Sequence, residues 1–175
     1  MYFNNFPLIQ FSSVKGGEPK IVTNLLRRVA LRAKVKENTM MFDTYDVREG
    51  ETPEMIAHKL YGDAELHWIV CMTNDIVNRF HDWPMNTNQF LSYVRDKYDN
   101  PNAVHHYEIS QTSGDTTLKI DVGTSNADYP TATAVTNLEY EEEEQNKKRQ
   151  IRLLDPAFVP QIVEEFQGMI NESEI

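Results

Sequence analysis

The sequence predicts an α+β fold in which a small module, a helical hairpin against a strand, carries an extended N-terminal arm, a β-hairpin insertion and an amphipathic C-terminal helix. Three observations predict it. Residues 40–84 place a strand pattern, a turn and two capped helices close together. Residues 104–122 contain two strand-like runs around a Gly-containing turn. Residues 155–170 begin with Asp-Pro and continue with apolar residues at helical spacing.

The length and composition limit the class of protein. The 175 residues suffice for one ordinary domain, or for a small module with appended arms. There is no run of 18 apolar residues that could span a membrane, and the first seven residues contain no basic residue of a secretory signal. We therefore expect no membrane association. The single cysteine, Cys71, lies in an apolar run and is predicted to be a buried hydrophobic residue in a reducing compartment.

Charge is unevenly distributed along the chain. The net charge is −10, yet residues 15–36 contain seven Lys or Arg against one Glu, a local charge of +6. Residues 37–175 contain ten basic and 26 acidic residues, a charge of −16. The acidic remainder would repel phosphate, so nucleic acid is not the predicted partner. We expect the basic segment to pair with an acidic protein surface.

The arm and basic segment, residues 1–39, come first. Residues 1–20 are aromatic, contain Pro and Gly, and lack helical periodicity, which predicts an extended arm. Residues 22–36 contain apolar residues interspersed with basic residues, and Asn24 is a possible N-cap. This pattern leaves open a short amphipathic helix or a strand-like tail.

The predicted module with its following helix spans residues 40–99. Residues 41–47 alternate as a half-buried strand does. Thr52-Pro53 predicts a helix start, and Gly62 predicts its end in a left-handed conformation. Asp63 is expected to cap a second helix that stops at Asn74.

The remaining segments have weaker patterns until the C-terminus. A third helix is expected to begin at Asn86 or Thr87 and to end before residue 100. Residues 100–137 are predicted to contain a hairpin of 104–110 with 117–122, followed by a polar surface excursion over 123–137. In residues 138–175 we expect a solvated charged helix over 138–149, a strand over 150–154 and the amphipathic helix.

Residues capable of catalysis or metal binding do not form a recognisable pattern. No Gly-rich phosphate loop is present. His105 and His106 are adjacent in a predicted strand, so they are expected on opposite faces and not at one metal. The acidic run of Glu139 and residues 141–144 is interpreted as solvated surface, or as a contact for a basic partner, rather than as a calcium site. The sequence therefore predicts a protein that is not an enzyme, with no catalytic, cofactor-binding or metal-binding residue and no cofactor.

The stretch from Tyr45 to Ala57 resembles the LysM module. That family has a strand, then Gly-Asp-Thr, then a helix with Ile-Ala, and an Asn after its second helix. Here Glu51 replaces the Asp, and Asn74 occupies the Asn position. The resemblance implies a βααβ fold and binding of peptidoglycan or chitin.

A second resemblance covers both ends and the middle of the chain. Residues 60–70, Asn74-Asp75 and Trp83-Pro84, together with residues 147–154 and the helix after them, are similar to the small baseplate wedge subunit of contractile-tailed (myovirus, T-even-like) phages. Residues 100–137 match nothing in that family. The resemblance implies a structural virion component that links neighbouring wedge subunits during tail assembly in the host cytoplasm. Its implied partners are other baseplate wedge proteins and the sheath-initiating subunit, in a six-fold assembly.

Both ends of the chain carry apolar side chains that a partner could cover. The alternative, that they pack on the chain's own core, stays open at this stage. Trp68 lies on an apolar run and is expected in the core rather than on a sugar-binding platform, which favours the assembly role over glycan binding. The predicted partner-binding residues are Phe3, Phe6, Phe11, Phe158, Ile162, Phe166 and Ile170.

Overall fold

The computed structural model describes residues 2–12, 17–26, 29–30, 38–112 and 118–172. Its helices and short sheets confirm the α+β class. The chain forms two compact units, each built from segments that are distant in sequence. The first unit comprises Met1–Val47, Glu51–Asp82 and Ile151–Ile175, and the second comprises Arg48–Gly50 and Trp83–Gln150. The boundaries predicted after residues 39 and 99 lie inside these units.

Among the described residues, the first unit contains four strands in two two-stranded sheets: Leu8–Phe11 pairs with Lys20–Thr23, and Phe42–Asp46 pairs with Gln150–Leu154. Its elements are β1 (Leu8–Phe11), β2 (Lys20–Thr23), β3 (Phe42–Asp46), α1 (Pro53–Tyr61), α2 (His67–Thr73), α3 (Arg79–Asp82), β7 (Gln150–Leu154) and α6 (Val159–Glu172). Short 3-10 helices span Tyr2–Asn5, Thr39–Met41, Ala64–Leu66 and Pro156–Phe158.

The predicted helix boundaries after β3 are confirmed by their caps. The Thr52 hydroxyl oxygen accepts a hydrogen bond from the Met55 amide at 3.4 Å, and Pro53 is the first helical residue of α1. Gly62 ends the helix at φ +77°, a conformation that strains any residue with a Cβ atom. Asp63 caps the 3-10 turn that leads into α2.

Asn74 ends α2 and also joins it to β7. Its side-chain amide donates to the Arg152 carbonyl oxygen, and its Oδ1 accepts from the Arg152 amide, both at 2.8 Å. The two residues are 78 positions apart. The strand that completes the order strand, helix, helix, strand is therefore β7. In the sequence, β7 comes after the long segment that forms the second unit.

The core of the first unit is aromatic at its centre. The Phe166 ring of α6 lies 4.5 Å from the Trp68 ring of α2 and 6.5 Å from the Phe6 ring, centroid to centroid. Phe166 is only 2% exposed. The other buried members of this cluster are Phe42, Ile69, Leu154, Val159, Ile162 and Ile170.

The segment predicted over residues 22–36 is only partly described. Its first two residues end β2, which pairs with β1 and is not helical. Asn24 Oδ1 accepts from the Leu26 amide at 3.2 Å, so Asn24 stabilises a turn. The remainder of this prediction falls largely on residues 27–28 and 31–37, outside the described residues.

The second unit contains a three-stranded sheet in the order β5-β4-β6. The predicted hairpin is present as β4 (Val104–Ser110) and β5 (Lys119–Gly123), which are antiparallel; its turn at 113–117 lies outside the described residues. The expected surface excursion is corrected in part, because β6 (Thr133–Thr136) pairs with β4 and buries Val135. The second unit also contains the helices α4 (Thr87–Lys97) and α5 (Asn137–Arg149), and each of them begins with a capping box.

Replacement of Phe166 by Ala tests the aromatic core. We expect a loss of about 3–5 kcal/mol in the free energy of unfolding, because a large buried ring leaves a cavity. Urea denaturation followed by Trp fluorescence measures it. The matched control is Met169→Ala on the same helix, where the side chain is 39% exposed; here we expect a loss below about 1 kcal/mol. Equal losses for the two variants would contradict the assignment of Phe166 to the core.

Candidate interaction surfaces

The structure separates the predicted partner-binding residues into two groups. Phe6, Ile162, Phe166 and Ile170 are buried in the core of the first unit, and Phe158 is partly buried against it. A partner could reach the four buried side chains only if the core opened. The apolar face of α6 therefore packs within its own chain, the alternative that the sequence left open. Phe3 and Phe11 are exposed, and for them the partner-binding role stays a prediction.

The hairpin of β1 and β2, called here the N-terminal hairpin, is an exposed apolar element of the first unit. All eight of its residues are exposed. Leu8 and Ile21, on one face, are 66% and 69% exposed. Ile9 pairs with Val22 on the other face. A two-stranded sheet with apolar side chains in water is marginally stable by itself, so this surface has the properties of one that a partner covers.

The base of the N-terminal hairpin is fixed to the core. Phe6, immediately before β1, packs against Phe166. The Asn24 amide donates to the Pro7 carbonyl oxygen at 2.9 Å and closes the hairpin at this end. Asn5 accepts a hydrogen bond from the Gln167 side chain at 3.1 Å. The hairpin is thus held in place without being covered.

An apolar groove of about 540 Å³ lies beside α2 in the first unit. Phe3, Trp68, Met72 and Val77 are among the side chains that line it. Cys71 also lines it, and burial raises the pKa of its thiol, with a smaller contribution from Glu54. The cysteine is therefore protonated at neutral pH, and its side chain is partly buried rather than fully buried as the sequence predicts.

The two adjacent histidines of the second unit lie together, which corrects the expectation that they occupy opposite faces. A register shift between Val104 and His106 in the β4–β6 ladder breaks the alternation of side chains. His105 Nδ1 and His106 Nδ1 are 2.9 Å apart, and His105 stacks on Tyr140 with ring centroids 3.9 Å apart. Since they share one hydrogen bond, only one of the two facing atoms carries the proton.

The acidic run of α5 is only partly solvated, which corrects the expectation that the whole run lies on the solvated surface. Glu141 is 4% exposed. Its Oε1 accepts from Lys97 Nζ at 2.6 Å and from the Tyr98 hydroxyl at 2.7 Å. Burial opposes the charge, but these hydrogen bonds outweigh it and lower the pKa of Glu141. The neighbouring Glu142 and Glu143 are exposed.

A metal-holding group and a membrane-spanning helix are both absent from the part of the chain that the structure describes. Within it, no three His, Cys, Asp or Glu side chains form a group that could hold a metal ion. No helix among the described residues is both long and apolar enough to cross a membrane.

Comparison with known protein families decides the class. The family described as base plate wedge protein 53 matches residues 1–174, nearly the whole chain. The chain belongs to this phage base plate wedge family. No curated protein matches it. As a base plate wedge protein it is a structural component of the phage tail, located in the virion. The family match includes residues 100–137, which the resemblance read from the sequence did not cover.

Acidification tests the Glu141 cluster of this base plate wedge protein. Because the folded pKa of Glu141 lies below the ordinary value of 4.5, the carboxylate stabilises the fold above that pH, and the contribution is lost as the pH falls through the folded pKa. Replacement of Glu141 by Gln is expected to cost about 1–2 kcal/mol at pH 7, with exposure of Lys97 to solvent limiting the cost.

The measurement is urea denaturation at pH 7, 5 and 3.5, with Glu142→Gln as the control on an exposed position of the same helix. The difference between wild type and Glu141→Gln is expected to shrink at pH 3.5, while Glu142→Gln stays close to wild type at pH 7. A pH-independent difference would show that the charge of Glu141 does not stabilise the second unit.

Proposed function

We propose that this base plate wedge protein links neighbouring wedge subunits during tail assembly, with the N-terminal hairpin as one linking element. The observation that supports it is an apolar two-stranded sheet, exposed along its whole length, whose base is fixed to the core through Phe6. A fixed base lowers the entropy cost of ordering the hairpin on a partner. Exposed Leu8 and Ile21 provide apolar area that a partner would remove from water.

The partners that we propose are other base plate wedge proteins and the sheath-initiating subunit, in a six-fold assembly that forms in the host cytoplasm. The resemblance of the sequence to wedge subunits of contractile-tailed phages supports this choice. Residues 15–36, a stretch of the sequence that includes β2, carry a charge of +6, which suits acidic protein partners. The role proposed is structural and involves no catalysis.

Binding of peptidoglycan or chitin is the alternative that the LysM resemblance implies. Trp68, the aromatic residue of that region that could stack on a sugar, is 7% exposed and packs on Phe166. Asn74 uses its side chain to hold the backbone of Arg152. Both residues therefore support the fold, and these contacts favour the assembly role.

The test is purification of the tagged chain from infected cells, with mass spectrometry of co-purifying proteins and parallel capture on purified peptidoglycan. We expect wedge proteins to co-purify and no retention on the glycan. The double variant Leu8→Asp, Ile21→Asp is expected to lower co-purification about tenfold or more, because two charges are placed on the apolar face. Leu118→Asp, on an exposed position of the second unit, is the control.

Two outcomes would contradict the proposal. One is retention of the wild-type chain on peptidoglycan without wedge proteins. The other is equal co-purification of wild type and the double variant, with circular dichroism showing that the variant is folded. In that case another surface of the chain would have to make the link.

A further inference from the structure

The backbone of the N-terminal hairpin has a defined hydrogen-bonding pattern. The Asn24 amide donates to the Pro7 carbonyl oxygen, so Pro7 and Asn24 form a hydrogen-bonded pair at the base. The register continues from Leu8 opposite Thr23 to Gln10 opposite Ile21. Hydrogen-bonded and non-hydrogen-bonded pairs alternate along an antiparallel ladder. The pairs Leu8–Thr23 and Gln10–Ile21 are therefore both non-hydrogen-bonded pairs.

It follows that each strand directs backbone groups outward. In non-hydrogen-bonded pairs the N–H and C=O groups point away from the neighbouring strand. The amides of Leu8 and Gln10 thus point to the outer edge of β1, and those of Ile21 and Thr23 to the outer edge of β2. Among the described residues each strand pairs only with the other. Two edges are available to accept a further strand.

Charge distinguishes the two edges. β2 begins with the exposed Lys20 and is followed directly by the most basic part of the chain, with Arg27, Arg28, Arg32, Lys34 and Lys36. The sequence before β1 is uncharged from residue 1 to residue 7. Within the described hairpin, β2 carries the cation Lys20 and β1 carries no charged residue, so an acidic segment would gain more on β2 than on β1.

Resting on the proposed function, we infer that the outer edge of β2 binds an extended, acidic segment of another base plate protein, which adds to the hairpin as a third strand. Backbone hydrogen bonds to Ile21 and Thr23 give the segment its register. Apolar residues at alternate positions of the segment cover the face of Leu8 and Ile21, and its carboxylates face Lys20.

A second copy of this chain is a poorer occupant of the same edge. Pairing of two β2 edges would bring together two strands that each carry Lys20 and no acidic residue. The acidic side chains of a second copy that are exposed on α5, such as Glu142 and Glu143, belong to a helix and offer no strand edge. Both charge and backbone geometry therefore favour a different protein.

Two proline variants test the edge. Thr23→Pro removes an outward N–H from β2, and Gln10→Pro removes one from β1; both replace an exposed polar residue and leave the internal ladder its donors. Each variant is co-expressed with the other base plate proteins, and its incorporation into purified wedges is measured. We expect about a tenfold loss for Thr23→Pro and less than about twofold for Gln10→Pro.

Hydrogen exchange read by NMR in the isolated chain and by mass spectrometry in wedges gives a second readout. Slow exchange at Ile9 and Val22 in each isolated variant establishes that its hairpin is intact. On incorporation of the wild type, the Ile21 and Thr23 amides are expected to become protected while Leu8 and Gln10 stay fast. Lys20→Glu is expected to weaken incorporation, and Arg95→Glu, an equal change of charge on exposed α4, is not.

The outcomes separate this inference from the proposed function. If the wild-type chain does not enter wedges, the linking role itself is wrong. If it enters and Thr23→Pro with an intact hairpin enters equally well, strand addition at β2 is wrong and the linking role stands. A greater loss for Gln10→Pro would overturn the choice of edge. Concentration-dependent self-association of the isolated chain that Thr23→Pro abolishes would overturn the choice of partner in favour of a second copy.

Discussion

The packing of Phe166 against Trp68 and Phe6 is the contact on which the first unit depends. It brings together the N-terminal arm, α2 and the C-terminal helix, three segments that are far apart in the chain. None of these segments has enough apolar surface of its own to form a core, since α2 spans only His67–Thr73. The aromatic rings supply large buried areas, and their tilted and edge-to-face contacts fix the relative positions of the segments.

Buried hydrogen bonds also hold elements together within each unit. The amide of Asn74 satisfies both the N–H and the C=O of Arg152, and β7 is thereby held at the end of α2. In the second unit Glu141 has a similar role, because its buried carboxylate accepts hydrogen bonds from α4 and from the residue that follows it. Each group would be costly to bury without its partner, so these contacts make the arrangement of elements specific.

This architecture is consistent with the linking role that we propose for this structural base plate protein. The apolar face of α6 is buried in the core. The N-terminal hairpin, by contrast, keeps its apolar side chains exposed. Because Phe6 fixes the base of the hairpin, the exposed strands have a defined position on the first unit. An assembly protein benefits from such a division, since the surface that binds a partner can be apolar without being needed for folding.

The features that depend on neighbouring residues were predictable from the sequence. Thr52-Pro53, Gly62 and Asn86 mark helix ends because a cap is a contact between residues a few positions apart. The strand over 150–154 and the final helix were likewise evident from local periodicity. The family could also be recognised from short motifs, and the match over residues 1–174 extends that recognition to the segment without motifs.

The features that depend on distant residues were decided by the tertiary structure. In the sequence, the apolar stripe of α6 that contains Phe166 is compatible both with docking on a partner and with packing in the chain's own core. Only the positions of Trp68 and Phe6 show that this stripe belongs to the core. His105 and His106 share a side because β6 imposes a bulge that their own sequence does not reveal. The sequence by itself thus determined where most elements begin and end and which family the chain resembles. The tertiary structure decided which apolar and charged side chains are buried, because burial depends on what long-range packing brings against each side chain.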